Sequence, residues 1–134
     1  MEIPKESADK FIEWIKLKIL LHANGKTLYF KEGQIWWVNF GQNIGREING
    51  KHANFERPAI VLKKFGGDTF WALPITSVPK EGRYYYRFIN PRGHQNFINL
   101  SQLRLMSSQR MIRKIGRLNE MDLRAIRELI KRYI

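Results

Sequence analysis

After Phe30 the chain is divided into short runs rich in Ile, Val, Phe, Trp and Tyr, with Gly66-Gly67, Pro79 to Gly82 and Asn90-Pro91-Arg92-Gly93 as the punctuation. Runs of about five to eight such residues suit half-buried strands joined by tight turns. The spacing predicts a mainly β fold, a compact and strongly bent antiparallel sheet, with strands near 34–40, 58–64, 69–75, 84–89, 97–100, 103–106 and 113–118. Alternation places Tyr84 and Tyr86 on one face and Tyr85 on the other, with at least one set expected to be buried. It also separates Trp36 from Trp37, so that one is core and the other lies at a protomer contact or under a helix.

Helical spacing occurs at both ends. Ser7 can cap a helix over 8–22, with Phe11, Ile12, Ile15, Ile19 and Leu20 at helical intervals and Asn24-Gly25 as the stop. This segment reads as an addition, which divides the chain into a helical extension, 1–27, and a β domain, 28–134. Asn119 is a good cap for a closing helix whose apolar stripe is Leu123, Ile126, Leu129, Ile130 and Tyr133.

A chain of 134 residues has room for one core and no separate cofactor domain. It contains no Cys, which removes disulfides, thiolate nucleophiles and Cys-based zinc sites together. Its apolar runs fall short of the roughly 20 residues of a membrane span. Glu2, Glu6, Asp9 and Glu13 stand where an export signal would be basic and then apolar. A cytoplasmic protein without membrane contact is expected. With 24 Lys and Arg against 12 Asp and Glu, the formal charge is +12. The excess is not a tail: Arg83, Arg87, Arg92, Arg104, Arg110, Arg113, Lys114 and Arg117 recur among residues expected in the sheet. A folded basic surface suits a phosphate backbone.

The site is sought in the polar Gly/Asn segment 41–56, which follows the first strand and ends at Arg57-Pro58, and in Thr76-Ser77, where the third strand runs out. Long loops within compact domains usually carry function. His22, His52 and His94 have no metal-ligand spacing, so no metal or other cofactor is expected. Phosphate-loop, nucleophile-elbow and dinucleotide motifs are absent as well. Arg57 offers a planar fork for phosphate oxygens, and Thr76 or Ser77 a hydroxyl donor. Such donors stabilise the extra charge of a pentacoordinate phosphorus. RNA brings its own nucleophile, the 2′-hydroxyl, so this route needs neither metal nor enzyme nucleophile. Glu47 and His52 are the titratable loop residues available as a base. The alternative reading makes Arg57 a structural partner of Glu56 or another carboxylate, and Thr76 a strand-end residue that satisfies backbone groups.

Five ordered landmarks then resemble one family. Gly33-Gln34-Ile35-Trp36-Trp37-Val38, Gly45-Arg46-Glu47, Glu56-Arg57-Pro58-Ala59-Ile60-Val61-Leu62, Leu73-Pro74-Ile75-Thr76-Ser77 and Leu100-Ser101-Gln102-Leu103-Arg104 look like the MazF/PemK toxins. The resemblance implies a small SH3-like barrel with a C-terminal helix, here with an extra N-terminal helix. It implies a homodimer, cleavage of single-stranded RNA at short sequences without metal, 2′,3′-cyclic phosphate and 5′-hydroxyl ends, and a cognate antitoxin. An acidic disordered antitoxin segment suits a basic groove. Arg57 and Thr76 match the family's catalytic pair, with Ser77 adjacent and Glu47 as the nearby acid. RNA contacts are expected from Arg46, His52, Phe55, Arg83, Tyr85, Arg87, His94 and Arg104. The loop from Gly45 to Arg57 is several residues longer than in the shortest members, and the N-terminal helix lies outside the pattern. A competing class is a non-catalytic module of the same fold, either a gyrase-poisoning toxin or an RNA-binding domain.

Overall fold

The computed structural model describes residues 1–26 and 28–134. Thr27, where the boundary between extension and β domain was expected, lies outside them. The elements run α1 (Lys5–Ala23), β1 (Gln34–Asn39), β2 (Glu56–Phe65), β3 (Thr69–Thr76), β4 (Tyr85–Ile89), β5 (Gln95–Asn99), β6 (Arg104–Ser107), β7 (Met111–Arg117) and α2 (Glu120–Arg132). Short 3-10 turns, Leu100–Gln102 and Ser108–Arg110, precede β6 and β7. All seven expected strands form, with boundaries displaced by a few residues. None of the described helices is long and apolar enough to cross a membrane.

The strand order is β4-β5-β3-β2-β1-β7, with β6 also on β3, and every pairing is antiparallel. The sheet is therefore open. The expected strongly bent barrel is not formed: β4 and β7 end the strand order, and no ladder joins them among the described residues. A closed barrel requires one consistent stagger around the ring. Here the outer edge of β3 divides, pairing with β6 at Thr69–Ala72 and with β5 at Ile75 and Thr76, so no single register passes beyond it.

Both faces of the central strands are buried, which explains their nearly continuous apolar runs. Ile35, Ile60, Leu62, Leu73 and Ile75 join Phe88, Ile98 and the α2 residues Leu123 and Ile126 in one cluster. Trp36, Val38, Ala59, Val61, Phe70 and Ala72 join Phe30, Met106 and Met111 in another. Trp36 is thus the core tryptophan. Trp37 is partly exposed, with the Arg113 guanidinium 5.1 Å from its ring centre. Neither tyrosine set is fully buried. The Tyr86 hydroxyl instead donates to Asp122 of α2 at 2.6 Å, and burial followed by this acidic partner pushes its pKa up to about 12.

The two helices differ in how they attach. In α2 the Asn119 side chain caps the Asp122 N–H at 2.8 Å, and the apolar stripe packs onto the sheet through Leu123 and Ile126. In α1 the cap is Pro4 and not Ser7, which falls inside the first turn. Proline's preset φ lets the helix begin earlier without a side-chain cap. Of its expected stripe, Phe11 is half-buried and the other four residues face solvent. Ile12, Ile15, Ile19 and Leu20 are each at least 50% exposed, and Trp14 is the only fully buried residue of the helix. Urea unfolding should separate the two: Ile126→Ala is expected to cost about 2–5 kcal/mol, as for a filled core site. Ile12→Ala should change stability by less than about 0.5 kcal/mol.

Candidate active site in a cationic cavity

The β2–β3 register places Arg57 and Thr76 at the same end of the ladder. Ala59 pairs with Pro74, Ile60 with Leu73 and Val61 with Ala72. Each step back along β2 is a step forward along β3, so this register, continued two residues past its last pair, sets Arg57 toward Thr76 on the face of Ala59 and Pro74. Facing residues of this kind stand roughly 5 Å apart. The irregularity between Val61 and Lys63 lies on the hairpin side and leaves these pairs undisturbed.

Both residues line a cavity of about 460 Å³. Arg46, Lys51 and Lys80 complete a set of four cations in its wall, while Tyr85, Asn99, Ser101 and Gln102 add neutral polar groups. No described Asp, Glu or His lines it. Positive charge without a counter-charge is the electrostatic form of an anion site. Burial lowers the Arg57 pKa below the usual guanidinium value, yet an Arg remains charged in a protein. Its Nε donates to the Asn49 carbonyl at 2.9 Å. Among the described residues no hydrogen bond engages its terminal nitrogens, so one edge of the fork positions the group and the other is available to an anion. Thr76 Oγ1 accepts from the Val78 N–H at 3.2 Å, which leaves its hydroxyl proton to donate.

The ion pair of Arg57 with Glu56, raised as an alternative from the sequence, is not made. Successive strand residues point to opposite faces, and Glu56 instead lies 3.9 Å from Arg113. The loop is held by its own amides. Asn43 Nδ2 donates to the carbonyls of Phe40 and Ile48 at 3.2 and 2.8 Å. Gln102 accepts from the Ile48 N–H and donates to the Arg46 carbonyl, both at 3.0 Å.

Glu47 lies in an adjoining cavity of about 430 Å³ with Arg104. Its carboxylate accepts from the Ile44 N–H at 3.0 Å. Burial lowers the Arg104 pKa, and the Glu47 charge partly restores it. His52 and Ser77 are exposed and line neither cavity. Arg83, Arg87 and His94 are exposed around β4, with Arg83 stacked 5.0 Å from the Tyr84 ring centre. Phe55 is buried against Trp14, with ring centres 5.7 Å apart, and is not presented for base stacking. Among the described residues no three His, Asp or Glu side chains gather as a metal site would require.

Lys51, Lys80, Asn49 and Asn99 carry no expectation from the sequence, and Ser101 and Gln102 enter it only within the Leu100–Arg104 landmark. For Asn99 and Ser101 a signal existed. Asn-x-Ser at a strand end favours a local side-chain turn, and Asn99 Oδ1 accepts from both the N–H and the hydroxyl of Ser101, at 3.1 and 2.7 Å.

Residues 31–134 match the family described as PemK-like, MazF-like toxin of type II toxin-antitoxin system. No curated protein sequence matches the chain. Among solved structures, MazF from Deinococcus radiodurans is similar at a TM-score of 0.66 and 20% identity, over 79% of this chain and 96% of that one. An endoribonuclease in complex with its cognate antitoxin from Mycobacterial species gives a TM-score of 0.60 at 8% identity, over 78% and 93%. The Mycobacterium tuberculosis toxin MazF-mt6 gives 0.56 at 14%, over 74% and 93%. At these identities the structures establish a shared fold. The matched segment covers most of the chain and holds both the cavity and the register that builds it, and the chain belongs to the PemK-like, MazF-like toxins of type II toxin-antitoxin systems, a family of metal-independent endoribonucleases specific for short single-stranded RNA sequences.

Proposed function

We propose that the cavity holding Arg57 and Thr76 is where this toxin cuts RNA. The observation that carries this reading is a wall of four cations with, among the described residues, no carboxylate and no hydrogen-bond partner for the terminal nitrogens of Arg57. A phosphodiester seated there has its non-bridging oxygens toward the Arg57 fork and the Thr76 hydroxyl. The substrate's 2′-oxygen attacks phosphorus, the bond to the 5′-oxygen breaks, and the products are a 2′,3′-cyclic phosphate and a 5′-hydroxyl. One proton leaves the 2′-hydroxyl and one is gained by the 5′-oxygen, with solvent closing the balance. The chain contributes by stabilising the charge that accumulates on the equatorial oxygens.

Glu47 is one cavity away and His52 faces solvent. We therefore give neither the base role and rest the rate on electrostatics. Glu47 instead tunes Arg104, and Ser77 is left without a part. Arg46, Lys51 and Lys80 track the flanking phosphates, while Tyr85, which lines the cavity, meets a base. Arg83, Arg87, His94 and Arg104 extend the basic track outward. The same charge suits the acidic segment of a cognate antitoxin. In this reading residues 28–134 are the toxin domain, 1–27 are an extension, and the protein works as a cytoplasmic homodimer.

Two measurements test the assignment. Arg57→Ala should lower cleavage of a long single-stranded RNA in EDTA by roughly a hundred- to a thousandfold, with the folded state and a cooperative unfolding transition retained. Arg57→Lys should not restore the rate, because an ammonium lacks the second edge that Nε spends on Asn49. Unaltered cutting by Arg57→Ala would sink the assignment. Separately, RNA affinity should fall with salt, and Lys51→Ala with Lys80→Ala should reduce the log-log slope by about 0.7 for each phosphate that is no longer neutralised. A slope equal to that of the parent would remove both lysines from the track.

A further inference from the structure

We infer that α1, which precedes the family segment, is a brace for the loop of the cavity, and that Trp14 is a positioning residue for Arg57. The inference rests on the reading of the cavity as the cleavage site. Trp14 is 5% exposed, yet it belongs to neither of the two apolar clusters. What it touches is the neck of the 41–56 loop. Its ring lies against Phe55 near the loop's end. It also lies so close over Gly41, the first loop residue, that a Cβ there would come within 2.3 Å of the indole. Arg110 covers the indole at 5.5 Å and donates to the carbonyls of Asn39 and Phe40, at 3.0 and 3.4 Å, where β1 enters the loop.

Phe55 has φ +47, a conformation that a non-glycine residue keeps only when its surroundings hold it. That conformation turns its carbonyl to accept the N–H groups of both Phe40 and Gly41, at 2.8 and 3.1 Å. Gly50 passes against the same carbonyl so tightly that a Cβ would sit 1.6 Å from the oxygen, and its N–H donates to the Gly41 carbonyl at 2.8 Å. Asn49, the residue before Gly50, supplies the carbonyl that fixes Arg57 Nε. A continuous path of contacts therefore runs from the indole through Phe55 and Gly41 to Gly50, Asn49 and the guanidinium. The far end of α1 is tied separately, by Gln109 Nε2 donating to the carbonyls of Leu21 and His22, both at 3.2 Å. Two anchors on one rigid helix keep the indole pressed on the neck of the loop.

The test compares the full-length parent, Trp14→Ala and Trp14→Phe by RNA cleavage kinetics and amide hydrogen exchange. Trp14→Ala should lower kcat about ten- to a hundredfold with KM little changed, since small misplacement of a catalytic group is costly. Exchange should quicken at Phe40, Gly41 and Gly50 while β2 and β3 stay protected. Trp14→Phe, which keeps a ring against Phe55, should recover most of the rate. A residue that served stability alone would leave the kcat of the folded protein intact, and that result overturns the inference. Loss of protection throughout β2 and β3, or unaltered exchange at the loop neck, overturns it as well. If the parent itself leaves RNA whole, the cavity reading fails, while exchange at the neck still decides whether α1 braces the loop.

Discussion

The β2–β3 register governs the rest of the molecule. It sets which apolar residues face each cluster, so that Ile60 and Leu73 lie together on one side and Val61 and Ala72 on the other. The same register carries Arg57 to Thr76 beyond the last ladder pair. Because side chains alternate with a period of two, a slip of one residue would exchange the two faces and part the guanidinium from the hydroxyl. Burial on both faces is what makes such a slip prohibitive. The site is therefore held in place by the core, through a ladder that extends toward it.

Upon this rigid pair sits a more local construction. The loop 41–56 has few apolar anchors of its own and depends on amide side chains, two glycines and one left-handed phenylalanine to hold its shape. Loops of this kind occupy the low end of a protein's local stability range. An added helix that contributes one tryptophan to the neck, and leaves Ile12, Ile15, Ile19 and Leu20 largely in water, makes physical sense as a support for such a segment. It contributes little to the main core.

Much of this is legible in the sequence. The seven strands, the Asn119 cap and the α2 stripe follow from local chemistry, and motif order suggests the pairing of Arg57 with Thr76. Sheet closure is not legible, because short strands say nothing about whether one edge will serve two partners, as that of β3 does. The docking face of α1 is hidden for a related reason. Apolar residues lie on more than one side of this helix, and only the shape of the Gly41–Phe55 neck selects Trp14 over the isoleucines. Lys51 and Lys80 reach the cavity through loop folding that leaves no local pattern. The polar segment around Phe55 suggests a surface aromatic, whereas its ring fills the space beneath a helix contributed from elsewhere in the chain.

The imbalance of charge in the cavity wall has a thermodynamic meaning for the unliganded protein. Arg46, Lys51, Arg57 and Lys80 repel one another across a wall that no described Asp or Glu lines, so the free molecule is held together against a local electrostatic load. Any anion that enters removes part of that load as it binds, and it binds the folded chain in preference to the unfolded one. The toxin is thus least comfortable when alone. On the proposed reading of the cavity, an RNA strand and an acidic antitoxin segment compete for the same release of repulsion, and either one makes the fold harder to unfold.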